Sequence, residues 1–194
     1  MNQIIEVDNF INENQVKYID DIILGDNFPW YYASSSTSKT FPFFFHNLIC
    51  RYDSKTEKPQ INSDYFAFFN EIFNKFTDDN SLKVNNILRA AINLTTHYSL
   101  EFGDPHVDHS CENGYIIMYL NDDYDGGETI IFNEQYGAPF FEEVNPVADL
   151  DRFSIQKEIK PSKGKVIYFN GKYFHTCRWC KEGQRRIICI FTFN

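Results

Sequence analysis

The chain has 194 residues, with 27 acidic and 18 basic side chains and a formal net charge of −9 at pH 7. This length suits one domain with a substantial core and is too short for two ordinary ones. Because an excess of negative charge repels phosphate backbones, a nucleic-acid partner is not expected.

The N-terminal residues and the cysteines bear on the cellular compartment. Residues 1–8 lack the basic start and apolar run of a secretory signal, and no apolar run approaches the ~20 residues of a membrane-spanning helix. The five cysteines form no even disulfide framework, which fits reduced thiols. We therefore expect a soluble, cytoplasmic protein without a membrane partner, and its oligomeric state stays open.

Two amphipathic helices are predicted in the first half of the chain. Over residues 12–24, apolar side chains recur at helical spacing, and Asn12 and Gln15 are placed to form a capping box. Residues 63–76 carry a stripe of aromatic and aliphatic side chains, with Ser63 as the expected N-cap. Both patterns are typical of helices that pack on a sheet.

Two loops are open to different interpretations. The polar loop over residues 34–39 joins two aromatic strands and is either a flexible tip or a loop that contacts substrate. Residues 133–153 have no clear period and form either a surface decoration or a lid over the site. The lid would use the aromatic side chains of Tyr136, Phe140 and Phe141.

From residue 89 the pattern changes to short strands and turns without a strong helical period. Apolar runs bounded by turn residues predict strands over residues 90–98, 115–120, 128–132, 153–159, 165–169, 174–179 and 185–193. Short strands without intervening helices favour an antiparallel sandwich of the jelly-roll type.

The predicted fold class is therefore mainly β (α+β), with a double-stranded β-helix (jelly-roll, cupin-like) core and two or more packing helices, mostly in the N-terminal half. Residues 1–194 are expected to form a single domain. Residues 1–88 would supply helix and strand support, and residues 89–194 would form the core that carries the chemistry.

The residues with the clearest chemistry are two histidines and an aspartate. His106 and Asp108 are two residues apart, so on an extended segment their side chains point to the same face. His175 follows on a later strand, after the turn at residues 170–171. Two imidazoles and one carboxylate offer three ligands on one face of a divalent iron and leave other positions open.

A nearby arginine could bind a second carboxylate. The guanidinium of Arg185 forms a planar fork that suits the far end of a dicarboxylate cosubstrate. Its parity with Ile187, Cys189 and Phe191 predicts that it faces inward. Arg186 then faces away, as a solvated or salt-bridged side chain.

Other residues near His175 have competing interpretations. Cys177 and Cys180 resemble a redox or zinc pair, but no second pair completes a tetrathiolate site and no βαβ pattern surrounds them. We interpret both as packing residues. Arg178 and Trp179 are further candidates for contact with a substrate.

Further motifs fall in register with these residues. They are Tyr98, residues 106–108, 119–121, 126–129 and 161–169, His175, and residues 183–185. In this order and spacing the chain resembles the iron- and 2-oxoglutarate-dependent dioxygenase superfamily, and within it the prolyl 4-hydroxylase-like branch. The resemblance covers roughly residues 89–194, and residues 1–88 match only loosely.

The resemblance implies a cofactor and two cosubstrates. It implies ligation of Fe(II) by His106, Asp108 and His175. It also implies that 2-oxoglutarate chelates the iron and pairs its C5 carboxylate with Arg185, where collagen-type members have Lys. The hydroxyls of Tyr98 and Thr129 match positions that help to hold that carboxylate. Dioxygen would be the second cosubstrate, with ascorbate as a reductant.

The implied function is hydroxylation of an aliphatic C–H bond, with O2 consumed and succinate and CO2 released. A prolyl residue in a peptide or protein is the first candidate substrate, and a free amino acid or another small molecule is the alternative. A cupin-like metal protein that does not use 2-oxoglutarate and a non-catalytic binding module stay open. Demethylation of nucleic acid is disfavoured by the charge, and halogenation is disfavoured by the presence of Asp108.

Overall fold

Ten β-strands dominate the part of the chain described by the computed structural model, which is residues 3–34, 41–50, 60–137 and 150–194. The strands are β1 (Ile5–Val7), β2 (Tyr31–Ala33), β3 (Phe43–Ile49), β4 (Ile87–Thr95), β5 (Gly114–Tyr119), β6 (Thr129–Gln135), β7 (Ile155–Ile159), β8 (Val166–Asn170), β9 (Tyr173–Cys177) and β10 (Arg186–Phe193). The helices are α1 (Glu13–Tyr18), extended by a π-helical turn (Ile19–Ile23), α2 (Phe66–Asp79) and a short 3-10 helix (Leu150–Arg152).

The strands form two antiparallel sheets. The large sheet has the order β1-β8-β5-β10-β4-β3-β2, and the small sheet has the order β7-β6-β9. Short antiparallel strands in two facing sheets, with the helices in the N-terminal half, confirm the predicted fold class. Within the described residues, no helix is long and apolar enough to cross a membrane.

The helices cover one face of the large sheet. Apolar side chains of α2, including Phe69 and Phe73, pack against strand residues such as Cys189 and Phe191 in one continuous cluster. The rings of Phe73 and Phe191 stack with centroids 4.6 Å apart and planes 17° apart. These apolar contacts hold the large sheet against the helices.

A second core lies between the two sheets. It joins side chains of β5, β8 and β10 in the large sheet to side chains of β6, β7 and β9. Strand β10 lies between β5 and β4, and all eight of its residues are buried. Its side chains alternate between the two cores: Ile187 and Cys189 face the helices, and Ile188 and Ile190 face the small sheet.

The first helix begins as predicted. The amide of Gln15 donates to Asn12 Oδ1 at 3.0 Å, and the amide of Asn12 donates to Gln15 Oε1 at 3.1 Å. This is a capping box, which satisfies amides that have no partner within the helix. The second helix starts later than predicted, because Ser63 Oγ accepts from the amide of Tyr65 in a turn that precedes α2.

Replacing Asn12 with alanine should lower the free energy of unfolding by about 1 kcal/mol, because the Gln15 amide loses its acceptor. The measurement is urea unfolding followed by circular dichroism. Asn14→Ala is the matched control, since Asn14 is an exposed residue inside the same helix. Equal stability of Asn12→Ala and Asn14→Ala would contradict a role for the cap.

Candidate active site

A cavity of about 480 Å³ lies between the two sheets. Its floor is the inner face of the large sheet, and its other walls come from the small sheet and from residues 103–108. The described residues that line it include all three predicted iron ligands, which are His106, Asp108 and His175. The two distant motifs of the sequence therefore meet at one site.

The backbone joins the two histidines directly. Each amide donates to the carbonyl of the other residue at 3.0 Å, which places His106 against β9 and the ring centroids 4.7 Å apart. His106 Nδ1 lies 2.9 Å from the Asp104 carbonyl oxygen, and His175 Nδ1 lies 3.1 Å from that of Tyr173. Since a carbonyl oxygen only accepts, each Nδ1 carries a proton and each Nε2 keeps its lone pair.

His175 is held in the neutral form that a metal ligand requires. Burial, together with the neighbouring His106, lowers the pKa of His175 to about 3. Its Nε2 atom is buried and has no hydrogen-bond partner among the described residues. An unpartnered imidazole nitrogen in a cavity fits a metal ligand, because buried polar atoms otherwise find a partner.

Asp108 has a partner that the sequence did not suggest. Its Oδ2 atom lies 2.8 Å from Nη1 of Arg89, and both side chains are almost fully buried. Arg89 belongs to β4 and lines the cavity. In the described part of the chain, no group of three His, Cys, Asp or Glu side chains is drawn together closely enough to hold a metal. Two imidazoles and a carboxylate in one cavity still match the donor set of Fe(II), and the ligand assignment stays a prediction.

The expectation that Arg185 faces inward is wrong. The Arg185 side chain is exposed, and its guanidinium donates to the Leu24 carbonyl at 3.4 Å. The inward arginine is Arg186, which is 3% exposed and lines the cavity. The alternation of side chains along β10 did not identify the face toward the site, because this strand is apolar on both faces. The face shared by Arg185 and Ile187 packs on the helices, not on the site.

Hydrogen bonds hold Arg186 in place. Its Nε donates to the Gly127 carbonyl at 2.8 Å, and Nη2 donates to Thr129 Oγ1 at 2.9 Å. The hydroxyls of Thr129 and Tyr119 lie 2.6 Å apart, and the guanidinium carbon lies 5.6 Å from the centre of the Tyr119 ring. No ion pair joins Arg186 to a carboxylate of the described residues.

Asn121 fixes the backbone on both sides of Arg186. Its side-chain amide donates to the Arg185 carbonyl at 3.0 Å, and its Oδ1 accepts from the Ile187 amide at 2.8 Å. Asn121 is itself buried, just after β5. These two bonds point the intervening side chain into the cavity.

The two predicted hydroxyls have different positions. Thr129 lines the cavity beside Arg186, as the resemblance implied. The Tyr98 hydroxyl instead donates to the Pro42 carbonyl, and its ring packs against Trp179 and Phe41. β4 is the neighbour of β10 in the large sheet and ends at Thr95, so Tyr98 lies beyond the strand that runs beside Arg186. The tyrosine hydroxyl that meets Thr129 belongs to Tyr119.

The residues that follow His175 have different positions: in the core, at the surface or in the wall of the cavity. Burial raises the pKa of Cys180 to about 11 and raises that of Cys177, so both are thiols at neutral pH. Cys180 is buried, as a packing residue would be, whereas Cys177 lines the cavity. Arg178 pairs with Glu101 and Glu158 near the surface. Trp179 lines the cavity and Arg178 does not, so Trp179 is the one of these two that stays a candidate for contact with a substrate.

The two loops give less information. Strand β6 runs on to Gln135, and Tyr136 follows it as an exposed residue. The other two residues of the predicted lid, Phe140 and Phe141, lie outside the described residues. Residues 35–39 of the polar loop over 34–39 also lie outside them.

Comparisons with known proteins bear on the fold. No protein-family model matches the sequence, and no curated protein matches it. Solved structures do match. An oxidoreductase of the 2OG-Fe(II) oxygenase family from Burkholderia pseudomallei has 16% identity and a TM-score of 0.68, covering 98% of this chain and 84% of that one.

Two prolyl hydroxylases are also similar. A prolyl-4-hydroxylase from Pseudomonas putida has 14% identity and a TM-score of 0.59, covering 100% of this chain and 93% of that one. A prolyl hydroxylase from Trichoplax adhaerens, in complex with a hypoxia inducible factor oxygen degradation domain peptide fragment, has 10% identity and a TM-score of 0.64, covering 100% and 84%. The chain therefore has the fold of the 2-oxoglutarate–Fe(II) oxygenases, prolyl 4-hydroxylases among them, which confirms the resemblance of its motifs at the level of the fold.

Proposed function

We propose that the protein is an Fe(II)- and 2-oxoglutarate-dependent dioxygenase that hydroxylates an aliphatic C–H bond. The observation that carries the proposal is the buried guanidinium of Arg186 in the cavity that also contains His106, Asp108 and His175. The fold of the similar structures supports the same reaction class.

A buried guanidinium needs an anion. Removing its charge from water is costly unless a counter-charge and hydrogen bonds compensate. Arg186 has a carbonyl and a hydroxyl as partners, and neither carries a charge. A carboxylate entering the cavity would supply the counter-charge through paired N–H···O bonds. In this proposal Arg186, not Arg185, holds the C5 carboxylate of 2-oxoglutarate.

Thr129 and Tyr119 complete the carboxylate site. The Thr129 hydroxyl already accepts from Arg186, so its own proton is directed to Tyr119 or to a bound carboxylate. Tyr119 is fully buried, and burial raises the pKa of its phenol, so it stays protonated. These neutral donors can bind an anion without adding a competing negative charge.

His106, Asp108 and His175 would hold Fe(II), with each imidazole binding through Nε2. When bound, iron and 2-oxoglutarate supply the oxidising chemistry, in which O2 is consumed and succinate and CO2 are released. Arg89 orients the Asp108 carboxylate through its hydrogen bond to Oδ2. The surrounding buried side chains restrict the access of water to the reacting groups.

The proposal has two candidate substrate types. A prolyl residue in a peptide is one, and it has the support that a similar hydroxylase binds a peptide fragment. A free amino acid or another small molecule is the other, which the cavity of about 480 Å³ can accommodate. Ascorbate would serve as a reductant for either.

The first test is a spectrum of the anaerobic protein with Fe(II) and 2-oxoglutarate. We expect a visible charge-transfer band, and we expect His106→Ala to lose it because one of the ligands is removed. His97→Ala is the matched control, since His97 Nδ1 lies 2.9 Å from the Cys180 carbonyl oxygen and does not take part in the donor set.

The second readout is succinate, measured with and without Fe(II) under air. Formation of succinate that depends on both Fe(II) and 2-oxoglutarate supports the proposal. A protein that gives neither the band nor the succinate, or a band that survives in His106→Ala, would refute the assignment.

A further inference from the structure

The charges that line the cavity are not all paired. Arg89 and Asp108 form an ion pair at 2.8 Å, and Arg186 is the proposed partner of the cosubstrate carboxylate. Among the described lining residues, the remaining carboxylate is that of Asp104. This side chain has no role in the proposed iron and 2-oxoglutarate sites.

The Asp104 carboxylate is available for a ligand. Its Oδ2 atom is buried and has no hydrogen-bond partner among the described residues. The main-chain carbonyl of the same residue accepts from His106 Nδ1, so the backbone of Asp104 is held beside the candidate iron site. A buried carboxylate oxygen without a donor is costly, so a cation or a strong donor is the expected partner.

An aromatic wall lies next to Asp104. A Cβ on the preceding residue, Gly103, would lie only 3.1 Å from Cζ2 of Trp179, so the backbone at Gly103 is in close contact with the indole. Trp179 packs on Phe41 with centroids 5.1 Å apart, and Phe43 and Phe45 line the same cavity from β3. Aromatic faces attract organic cations, and they also pack against a hydrocarbon skeleton.

We propose that Asp104 and the aromatic wall bind an alkylammonium group, and that the substrate is therefore an amine with an apolar skeleton. The Asp104 carboxylate would accept from the ammonium, and Trp179 and its neighbours would enclose the adjoining carbons. The ammonium would then lie close to His106, which brings nearby C–H bonds to the reacting centre. As a substrate assignment this rests on the proposed function; as a binding site it does not.

The test compares three probes of one length: n-butylammonium, n-butanol and butyrate. Binding is followed by tryptophan fluorescence in anaerobic protein, both without additions and loaded with Fe(II) and 2-oxoglutarate. We expect n-butylammonium to bind at least about tenfold more tightly than n-butanol, since it adds a charge-assisted hydrogen bond. We expect butyrate to bind most weakly. Equal affinity for the amine and the alcohol, or tighter binding of butyrate, would overturn the proposal.

Asp104→Asn should remove the preference for the amine and leave the affinity for n-butanol unchanged. Asp26→Asn is the matched control, because it removes the same charge from an exposed position outside the cavity. If Asp104→Asn keeps the preference, the carboxylate is not the recognition group. The wild-type comparison of the three probes stands even if that variant does not fold.

A free amine and a lysine side chain share this chemistry, so Nα-acetyl-L-lysine N-methylamide is titrated beside n-butylammonium. Tighter binding of n-butylammonium than of the capped lysine assigns the site to free amines, and tighter binding of the capped lysine assigns it to a basic side chain; both support the site. Succinate formation is then measured with the same protein and probes after air is admitted. A protein that prefers the amine but gives neither the charge-transfer band nor succinate keeps the site and refutes the proposed function. Succinate formation without any preference for an amine refutes the site alone.

Discussion

The Arg186→Met protein is expected to need at least about 30-fold more 2-oxoglutarate for half-saturation, because truncating a buried charged partner costs about 2–5 kcal/mol of binding. Methionine keeps the aliphatic part of the side chain and removes the charge that a carboxylate would pair with. The measurement is titration of the charge-transfer band and of succinate formation with 2-oxoglutarate.

Arg185→Met is the matched control, since it removes the same charge from the adjacent, exposed residue. We expect it to leave the 2-oxoglutarate requirement unchanged. Circular dichroism of Arg186→Met checks that the variant folds, because the Gly127 carbonyl and the Thr129 hydroxyl lose their donor. If Arg185→Met raised the requirement and Arg186→Met did not, Arg186 would lose its proposed role.

The second large effect concerns the helical support. Replacing Phe73 with alanine should lower the free energy of unfolding by about 3–5 kcal/mol, because it leaves a cavity in the core. Phe73 is 1% exposed, stacks on Phe191 and meets the edge of Phe193 with centroids 5.4 Å apart. Urea denaturation followed by circular dichroism measures the loss.

Phe44→Ala is the control for Phe73→Ala. Phe44 is on β3 but is 39% exposed, so its truncation removes less buried surface and should cost much less. A similar loss of stability in the two variants would show that α2 does not anchor the large sheet through Phe73.

Much of the fold could be predicted from local patterns. The predicted strands from residue 89 onwards correspond to β4 through β10, because each apolar run is bounded by residues that turn the chain. The histidine and aspartate motifs likewise predicted which side chains line the cavity. Strand β1 was missed because it has three residues and is recognisable only by its pairing with β8.

The arrangement within the cavity depends on contacts that the sequence does not display. Alternation along a strand shows which side chains share a face, but it identifies the site face only when the other face is polar. Strand β10 is apolar on both faces, so Arg185 and Arg186 could not be told apart. The pairing of Arg89 with Asp108, 19 residues apart in the sequence, follows from the position of a loop against β4.

The two bonds from Asn121 have a consequence for how the chain finds its native pairing. A slip of β10 by one residue would exchange its two faces, and an apolar strand offers little hydrophobic penalty against that error. The buried side chain of Asn121 does distinguish the two alignments, because in the native one it bonds to the Arg185 carbonyl and the Ile187 amide. A slip would leave its Oδ1 buried without a donor, and its NH2 group would keep Asp123 alone as a partner. The register of the strand that carries the cosubstrate arginine is thus specified by one polar residue on a neighbouring segment.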